Sequence, residues 1–471
     1  MSVPFQAGDA VRWSAATLRQ GSEETVFAGV SIDSRTLDSG QLFVAIRGPR
    51  HDGHRFLDQA VARGATGLMV ERGEASVASE RDGLAILEVD EGVAALGALA
   101  KGHRKDFNGP LVAITGSSGK TTTKEMCAAV LSETGPCLKT RGNLNNEFGL
   151  PLTLLGRSPE DGVAVVEMGM NHRGEIARLV DIAQPTIGLV TNIGTAHIEF
   201  LGSREEIGRE KGDLFAGLPE QGLALVNLDD PGVVAQAERS SCPHLRYGLA
   251  SEADVRAENV RFETSRKGSA SYRFDLSTPE GRADVSVTGL AMTTVINALA
   301  AAATGLAANA TLPQVASGLE KYRPERGRMA PLTLGDGITL IDDSYNANPE
   351  SLQIALESLA RLSAGGRSVA VLGDMNELGE QAPHEHRVAG RRAGELGIDL
   401  LFCLGNFATE TAAGAVDGGL APGNIHIGTG HEQIAELIEK HISPQDWILV
   451  KGSRGMHMER IVDSLAAGGR N

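Results

Sequence analysis

The run Gly116-Ser117-Ser118-Gly119-Lys120-Thr121-Thr122 has the residue types needed to hold a polyphosphate. It follows the apolar stretch Leu111-Val-Ala-Ile-Thr115 and opens a helical pattern at Lys120. That strand–loop–helix context is what a phosphate-binding loop requires. Glycine lets backbone pass close to an anion, and the N–H groups of the loop and of the helix start then face it. Lys120 would contact the β- and γ-phosphates, and the Thr121 hydroxyl would ligate Mg²⁺. The common pattern has Gly at the position held here by Ile114. A structural turn is the competing reading, because Gly and Ser turns before helices are common. The preceding strand and the threonines at 121, 122 and 123 favour phosphate.

Three further side chains suit the same chemistry. Glu167 ends the apolar run VAVVEM, and His197 lies just past the run Ile187 to Ile193. In open α/β sheets ligands sit at the carboxyl ends of strands, so both side chains are expected at one crevice. Lys211 falls on an expected helix beyond them. Singly, each has an ordinary explanation. Glu167 would be a capping partner, His197 a satisfied loop histidine, and Lys211 an exposed partner of Glu206 or Asp213. Beside a phosphate loop, a carboxylate and an imidazole become sensible ligands for a second metal on the γ-phosphate.

The elements that must position these residues read as βα units. Short β-rich runs alternate with longer helical patterns, the signature of parallel sheets. In the block 1–108, strands are expected at Gln41 to Arg47, Gly67 to Glu71 and Leu84 to Val89, with a helix from Phe56 to Arg63. The block 109–327 carries strands at Leu111 to Thr115, Val163 to Met168, Ile187 to Ile193 and Leu223 to Asn227. Its helices are expected at Lys120 to Glu133 and Arg204 to Leu218. In the block 328–471, strands fall at Thr339 to Asp342, Ser368 to Leu372, Leu400 to Leu404 and Trp447 to Val450. Helices lie at Pro349 to Leu362 and His384 to Leu396. Pro324 and Gly327 punctuate the last boundary.

The chain has 471 residues and a net charge of -16, which argues against general nucleic-acid binding. The four cysteines are widely spaced without metal-ligand pairs, so reduced thiols in a cytoplasm are expected. No secretory pattern opens the sequence. The Ala-rich stretch from Val295 to Ala310 is too short and too polar to span a bilayer, and reads as a buried helix.

Several stretches together resemble the Mur ligase family. They are Gly116-Ser-Ser-Gly-Lys-Thr-Thr-Thr123, Glu167, Thr191-Asn-Ile-Gly-Thr-Ala-His197, Lys211 and Asp342-Asp-Ser-Tyr-Asn-Ala-Asn-Pro349. Asn143-Leu-Asn-Asn-Glu147, Leu372-Gly-Asp-Met-Asn-Glu-Leu-Gly379 and Val450-Lys-Gly-Ser-Arg454 resemble the branch that adds a dipeptide. Asp33-Ser34-Arg35 and Asp52-Gly-His54 resemble the family's UDP-sugar domain. The resemblance implies three α/β domains: a UDP-sugar-binding domain, a central ATPase domain with a parallel sheet, and a Rossmann-like C-terminal domain. It implies ATP-dependent ligation of D-Ala-D-Ala to UDP-MurNAc-tripeptide through an acyl phosphate, giving UDP-MurNAc-pentapeptide for cell-wall synthesis.

The same resemblance implies residue roles. Lys120 and Thr121 serve the phosphates and the first of two Mg²⁺ ions. Glu167 and His197 hold the second ion. Lys211 works there as a carbamate, which replaces a cation by two oxygens suited to Mg²⁺. Asn297 meets the adenine, Asp343 the ribose, and Arg328 the γ-phosphate. Asn143, Asn145 and Asn146 line the path of the muramoyl peptide, and Asp33, Ser34 and Arg35 hold the UDP end. The family has a Gly-Arg-His-like stretch shortly before the adenine Asn, whereas this chain has Ala291-Met-Thr293, and a packing role for Asn297 competes. For Arg35 the competing role is a structural pair with Asp33. The protein is expected to be a cytoplasmic monomer. Two rival readings remain at this level: a related amide ligase, such as a folylpolyglutamate synthase, and a phosphate-loop NTPase switch. The long first and third blocks speak against the switch.

Overall fold

The computed structural model describes residues 2–48, 51–74, 83–264 and 270–468. It is a mixed α/β structure with three main sheets. In the first sheet the strands run Thr17–Gln20, Ala85–Val89, Gly67–Glu71, Leu42–Val44 and Val30–Ser31, and Thr17–Gln20 is the antiparallel one. The third sheet runs Ala330–Thr333, Thr339–Asp343, Trp447–Lys451, Ser368–Gly373, Leu400–Leu404 and Ile425–Gly428, with Ala330–Thr333 as its antiparallel edge.

The central sheet has nine strands. At its middle, Leu111–Thr115 lies between Val163–Glu167 and Ile187–Val190, all parallel. Every residue of these three strands is buried. Continuous apolar runs of this kind suit strands covered on both faces. Their shared direction puts Gly116, Met168 and Thr191, and the loops that follow them, at one edge.

At the other side of this sheet, Val255–Thr264, Ala270–Thr278 and Gly281–Thr288 form an antiparallel meander. No strand was expected there. Ala270–Thr278 alternates buried and less buried positions, and Arg273 pairs with Asp284 across the exposed side. One face is wet, so the run lacks the unbroken apolar signal that marks the parallel strands. Two expected strands are shorter than read. Gln41 to Arg47 is a strand only over Leu42–Val44, since Arg47 bridges back to Asp52. Ile187 to Ile193 stops at Val190, because Asn192 turns towards the phosphate loop.

The helix Lys120–Leu131 is held against the helices Thr293–Ala307 and Leu312–Lys321 through glycine contacts. A Cβ on Gly305 would press on the Val130 side chain, and one on Gly318 would overlap the Val130 backbone. Small residues there let three helices pack closely. The first sheet's helix Gly92–Arg104 shares a core with Gly149–Leu155 and Glu175–Ala183. The third sheet's core takes in Ala270 and Leu290 of the central domain, and polar contacts described below join the two around the cleft.

Gly318→Ala tests the close packing. Alanine improves helix propensity by about 1 kcal/mol, but the overlap with Val130 is with backbone and should cost about 1–3 kcal/mol. A net fall of a few degrees in the thermal midpoint, followed by circular dichroism, is expected. An unchanged or raised midpoint would show that the helices part freely.

Candidate active site

The loop after Leu111–Thr115 is stapled to the segment after Ile187–Val190. Gly116 has φ of 152°, and a Cβ there would overlap the Thr191 hydroxyl. The Ser117 N–H donates to the Asn192 carbonyl at 3.0 Å, and the Ser118 N–H to Asn192 Oδ1 at 2.9 Å. Asn192 Nδ2 and Thr191 Oγ1 both donate to the Ser118 carbonyl, at 3.0 and 2.7 Å. The Gly194 N–H donates to Ser117 Oγ at 2.8 Å. With these bonds made, the loop's shape no longer depends on its ligand. The N–H groups of Gly119, Lys120, Thr121 and Thr122 have no acceptor among the described residues. They form the open end of a helix, with its positive dipole end at the loop. Gly119 has φ of 75°, a left-handed conformation suited to glycine.

Glu167 is only 2% exposed. Its Oε2 accepts from Thr121 Oγ1 at 3.0 Å and its Oε1 from Asn145 Nδ2 at 2.8 Å. Thr121 Oγ1 in turn accepts from Arg328 Nη2 at 3.1 Å. Arg328 lies over the Tyr345 ring at 3.8 Å, a cation–π contact that fixes the guanidinium plane. His197 caps the short helix Ile198–Leu201 with φ of 69°, and its Nδ1 is 2.6 Å from Glu377 Oε2. The carboxylate is off the line of an Nδ1–H, so the buried ring nitrogen lacks a proper hydrogen bond.

Two lysines share this region. Lys120 Nζ donates to the Gly116 carbonyl at 2.7 Å. Burial pushes its pKa down, the Arg328 charge adds to that, and Glu167 opposes it. Lys211 is 1% exposed and makes no ion pair among the described residues. Burial, then the charge on Lys120, drives its pKa well below the ordinary lysine value. The neighbouring Glu210 does not reach it as a partner: its two oxygens accept from the Gly174 and Ile176 N–H groups. The exposed pairing of Lys211 with Glu206 or Asp213 is therefore not what the structure has. Those two carboxylates pair with arginines instead.

A cleft of about 920 Å³ gathers most of the expected site. Its lining includes Ser117, Ser118, Gly119, Lys120, Thr121 and Thr122, with Glu167 and His197. Asn143, Asn145, Asn146, Asn297, Arg328 and Asp343 line it too. Asn297 Oδ1 would lie 3.1 Å from a Cβ on Gly119, so this amide sits directly on the loop. Several residues are already engaged. Asn145 orients Glu167, and Asn146 Oδ1 accepts from the Phe148 and Gly149 N–H groups at the start of a helix. Asp343 accepts from Lys451 Nζ at 2.6 Å and from the Met329 N–H.

Asp33, Ser34 and Arg35 lie outside that lining. Asp33 accepts from Nε and Nη2 of Arg35, which hold its carboxyl at about 2. Ser34 is buried and donates to Gln59. His54 is also internal, with Nδ1 2.7 Å from Asp52 and Nε2 accepting from the Glu71 N–H. Of the group, Arg35 keeps an exposed side chain.

Sequence reasoning assigned no role to Asn192, Glu350 or Glu377. Asn192 sits in a run of small polar residues immediately after a buried strand, which is a readable signal for a loop that holds another loop. Glu350 accepts from the Thr195 N–H at 2.8 Å and from Thr195 Oγ1 at 3.0 Å. It lies in the first turn of the helix Pro349–Leu362, Glu377 in the loop after Ser368–Gly373, and both act across a contact whose partner no sequence pattern names.

Residues 114–305 match the Mur ligase middle domain, 327–454 the Mur ligase glutamate ligase domain, and 26–104 the Mur ligase family catalytic domain. Over 456 residues the chain is 39% identical to UDP-N-acetylmuramoyl-tripeptide–D-alanyl-D-alanine ligase of Escherichia coli (strain K12), covering 96% of each. The chain is a Mur ligase. It is also 34% identical to the Bacillus subtilis (strain 168) protein of the same name, covering 94% of each. A crystal structure of MurF from Acinetobacter baumannii superposes with a TM-score of 0.88 at 33% identity, covering 99% of each chain. MurF ligase from Thermotoga maritima in complex with ADP gives a TM-score of 0.80 at 29% identity, covering 93% of this chain and 97% of that one.

The donor set of this Mur ligase fits Mg²⁺. Thr121 Oγ1 and the Glu167 carboxylate adjoin at the mouth of the phosphate loop, with His197 on the same cleft. No group of three His, Cys, Asp or Glu side chains forms a metal cage among the described residues. Mg²⁺ is commonly bound that way, through one or two protein groups plus substrate phosphates.

Asn192→Ala should loosen the loop without touching a phosphate contact. It removes the side-chain bonds to the Ser118 N–H and carbonyl, each worth about 0.5–1.5 kcal/mol. A rise of about tenfold in the dissociation constant of a non-hydrolysable ATP analogue is expected by calorimetry, with the thermal midpoint of the free protein little changed. Unchanged affinity would show that the loop holds its shape without Asn192.

Proposed function

We propose that this Mur ligase joins D-alanyl-D-alanine to UDP-MurNAc-tripeptide at the expense of ATP, giving UDP-MurNAc-pentapeptide, ADP and phosphate for peptidoglycan synthesis. The observation that carries the reading is one cleft uniting the free helix start at Lys120–Thr122, the Glu167–Thr121 pair, His197 and Arg328. The full-length relatives named above support the choice of substrates. The functional division proposed is 1–108 for the UDP-linked substrate, 109–327 for ATP and 328–471 for the incoming dipeptide and closure. Action as a monomer in the cytoplasm belongs to the same proposal. No helix among the described residues is long and apolar enough to cross a membrane.

The chemistry explains the parts. A carboxylate does not acylate an amine, because oxide is a poor leaving group. Transfer of the γ-phosphoryl group to the tripeptide carboxylate makes an acyl phosphate and releases ADP. The dipeptide amine then attacks the acyl carbon, phosphate leaves, and the nitrogen loses a proton. Phosphoryl transfer asks for positioning and charge neutralisation. Lys120 leaves the Gly116 carbonyl to meet the β- and γ-phosphates, while the N–H groups of residues 119 to 122 cradle them. Arg328, held over Tyr345, reduces repulsion between donor phosphate and acceptor carboxylate. Two Mg²⁺ ions, when bound through Thr121 and through Glu167, His197 and carbamylated Lys211, supply further positive charge at the phosphates. Asn297 takes the adenine side and Asp343 the ribose. Asn143, Asn145 and Asn146 border the peptide path, and Arg35, with Asp33 and Ser34 shaping its loop, takes the UDP end.

The direct test is product analysis by mass spectrometry with ATP, D-Ala-D-Ala and UDP-MurNAc-tripeptide. Pentapeptide and stoichiometric phosphate are expected only with all three substrates present. Phosphate release with ATP alone would favour a switch. Lys120→Ala should lose about a thousandfold or more in kcat while folding normally, since it removes charge where the transition state needs it. Near-normal turnover in that variant would overturn the assignment of the loop.

The carbamate has its own test. A buried neutral amine is what reaction with CO₂ requires, and burial of Lys211 favours that form. Lys211→Ala should be nearly inactive and regain activity with added short-chain carboxylates. Lys211→Arg should be inactive without rescue. Full activity of Lys211→Arg would mean that positive charge alone is needed.

A further inference from the structure

Two carboxylates of the third domain grip the loop that carries His197. Glu350, in the first turn of the helix Pro349–Leu362, takes the N–H and hydroxyl of Thr195. Glu377, in the loop after Ser368–Gly373, places Oε2 2.6 Å from His197 Nδ1. The Glu377 carbonyl also accepts from the Glu199 N–H at 3.3 Å. Residues 195, 197 and 199 are thus all held from across the domain contact.

The backbone at this meeting point is unusual on both sides. His197 has φ of 69° and Glu377 has φ of 63°. Left-handed backbone is disfavoured for a non-glycine residue, and such residues persist where surrounding structure over-determines them. Two of them touching by their side chains are both held in place by the docked domains.

An imidazole that binds a metal through one nitrogen is commonly oriented by an acceptor on the other, which also fixes its tautomer. His197 Nδ1 is buried, and Glu377 is the carboxylate beside it. We infer that Glu377 is a positioning residue: it accepts the Nδ1–H of His197, leaves Nε2 bare toward the cleft, and so makes the second metal site complete only when the third domain is docked. This rests on the reading of His197 as a ligand of that metal. The carboxylate need not touch substrate. It acts through the ring, which turns to align Nδ1–H with Oε2.

The experiment uses the full chain with a non-hydrolysable ATP analogue and Mn²⁺ as the probe, followed by electron paramagnetic resonance. His197→Ala, Glu377→Leu and Glu377→Gln are compared with the parent. Glu377→Leu should weaken the weaker Mn²⁺ site about tenfold or more, the usual effect of losing such a partner. Glu377→Gln keeps an acceptor oxygen and should recover most of that loss. The ring is read separately by nitrogen NMR of histidine-labelled, metal-free protein, with the His197 signals identified by their loss in His197→Ala. The parent and Glu377→Gln should show Nδ1 protonated and Nε2 bare, and Glu377→Leu should lose that preference. If His197→Ala leaves Mn²⁺ affinity unchanged, the ligand reading of His197 fails. If His197→Ala weakens the site but Glu377→Leu does not, or if the parent ring is bare at Nδ1, the positioning role of Glu377 is overturned. Equal losses in the Leu and Gln variants would also overturn it, since an acceptor alone would then not serve.

Discussion

The contact between Gly116 and Thr191 is the constraint on which the site is built. Two neighbouring parallel strands deliver these residues to the same edge, and there is no room for a Cβ between them. Because Gly116 yields that space, Thr191 and Asn192 can reach over and bond both the N–H and the carbonyl of Ser118. The phosphate loop and the segment leading to His197 therefore form one rigid unit. Glu167 joins it from the other neighbouring strand through Thr121. Preorganisation of this kind leaves little reorganisation to be done when phosphate arrives, which is where electrostatic stabilisation is most effective.

The two domain contacts differ in how much of each is polar. The first domain shares an apolar core with the central one through Gly92–Arg104, and Arg104 reaches across to the carbonyls of Ala183 and Gln184. Separating those surfaces would expose apolar area at about 25 cal/mol per Å². The third domain reaches the central one around the cleft through Arg328, Glu350 and Glu377, and away from the cleft through apolar packing that brings Ala270 and Leu290 into its core with Ile198 and Phe262 against it. Water replaces the polar contacts at low net cost, whereas the apolar ones resist separation.

What the sequence reveals here follows from where the physical signal lies. The strand Leu111–Thr115 and the helix Pro349–Leu362 were legible to the residue, because a five-residue apolar run and an Asn-Pro helix start are local signals. Lys120, Glu167 and His197 were legible because strand ends gather at one edge of a parallel sheet. The meander from Val255 to Thr288 was not, since its wet face breaks the apolar runs. Asn145 and Asn146 were read as substrate contacts, and their hydrogen bonds to Glu167 and to a helix start depend on a fold-back that spacing alone does not encode. Glu350 and Glu377 act across a domain contact, and no short-range pattern reports the partner.

Charge sets apart the two lysines nearest the phosphate loop. The charge on Lys120, which is half-buried, disfavours an ammonium at Lys211, which is fully buried. Burying one unpaired ion costs several kcal/mol even after relaxation, and a like charge adds to that. Lys120 has a partial answer in the Gly116 carbonyl, and Glu167 lies near it. Lys211 has no such partner among the described residues. Lys120 lines the cleft, whereas Lys211 sits outside its lining. Burial and the charge on Lys120 both press Lys211 towards its neutral form. Burial of Lys211 thus does what an exposed position would not: it disfavours the ammonium that an exposed lysine would keep.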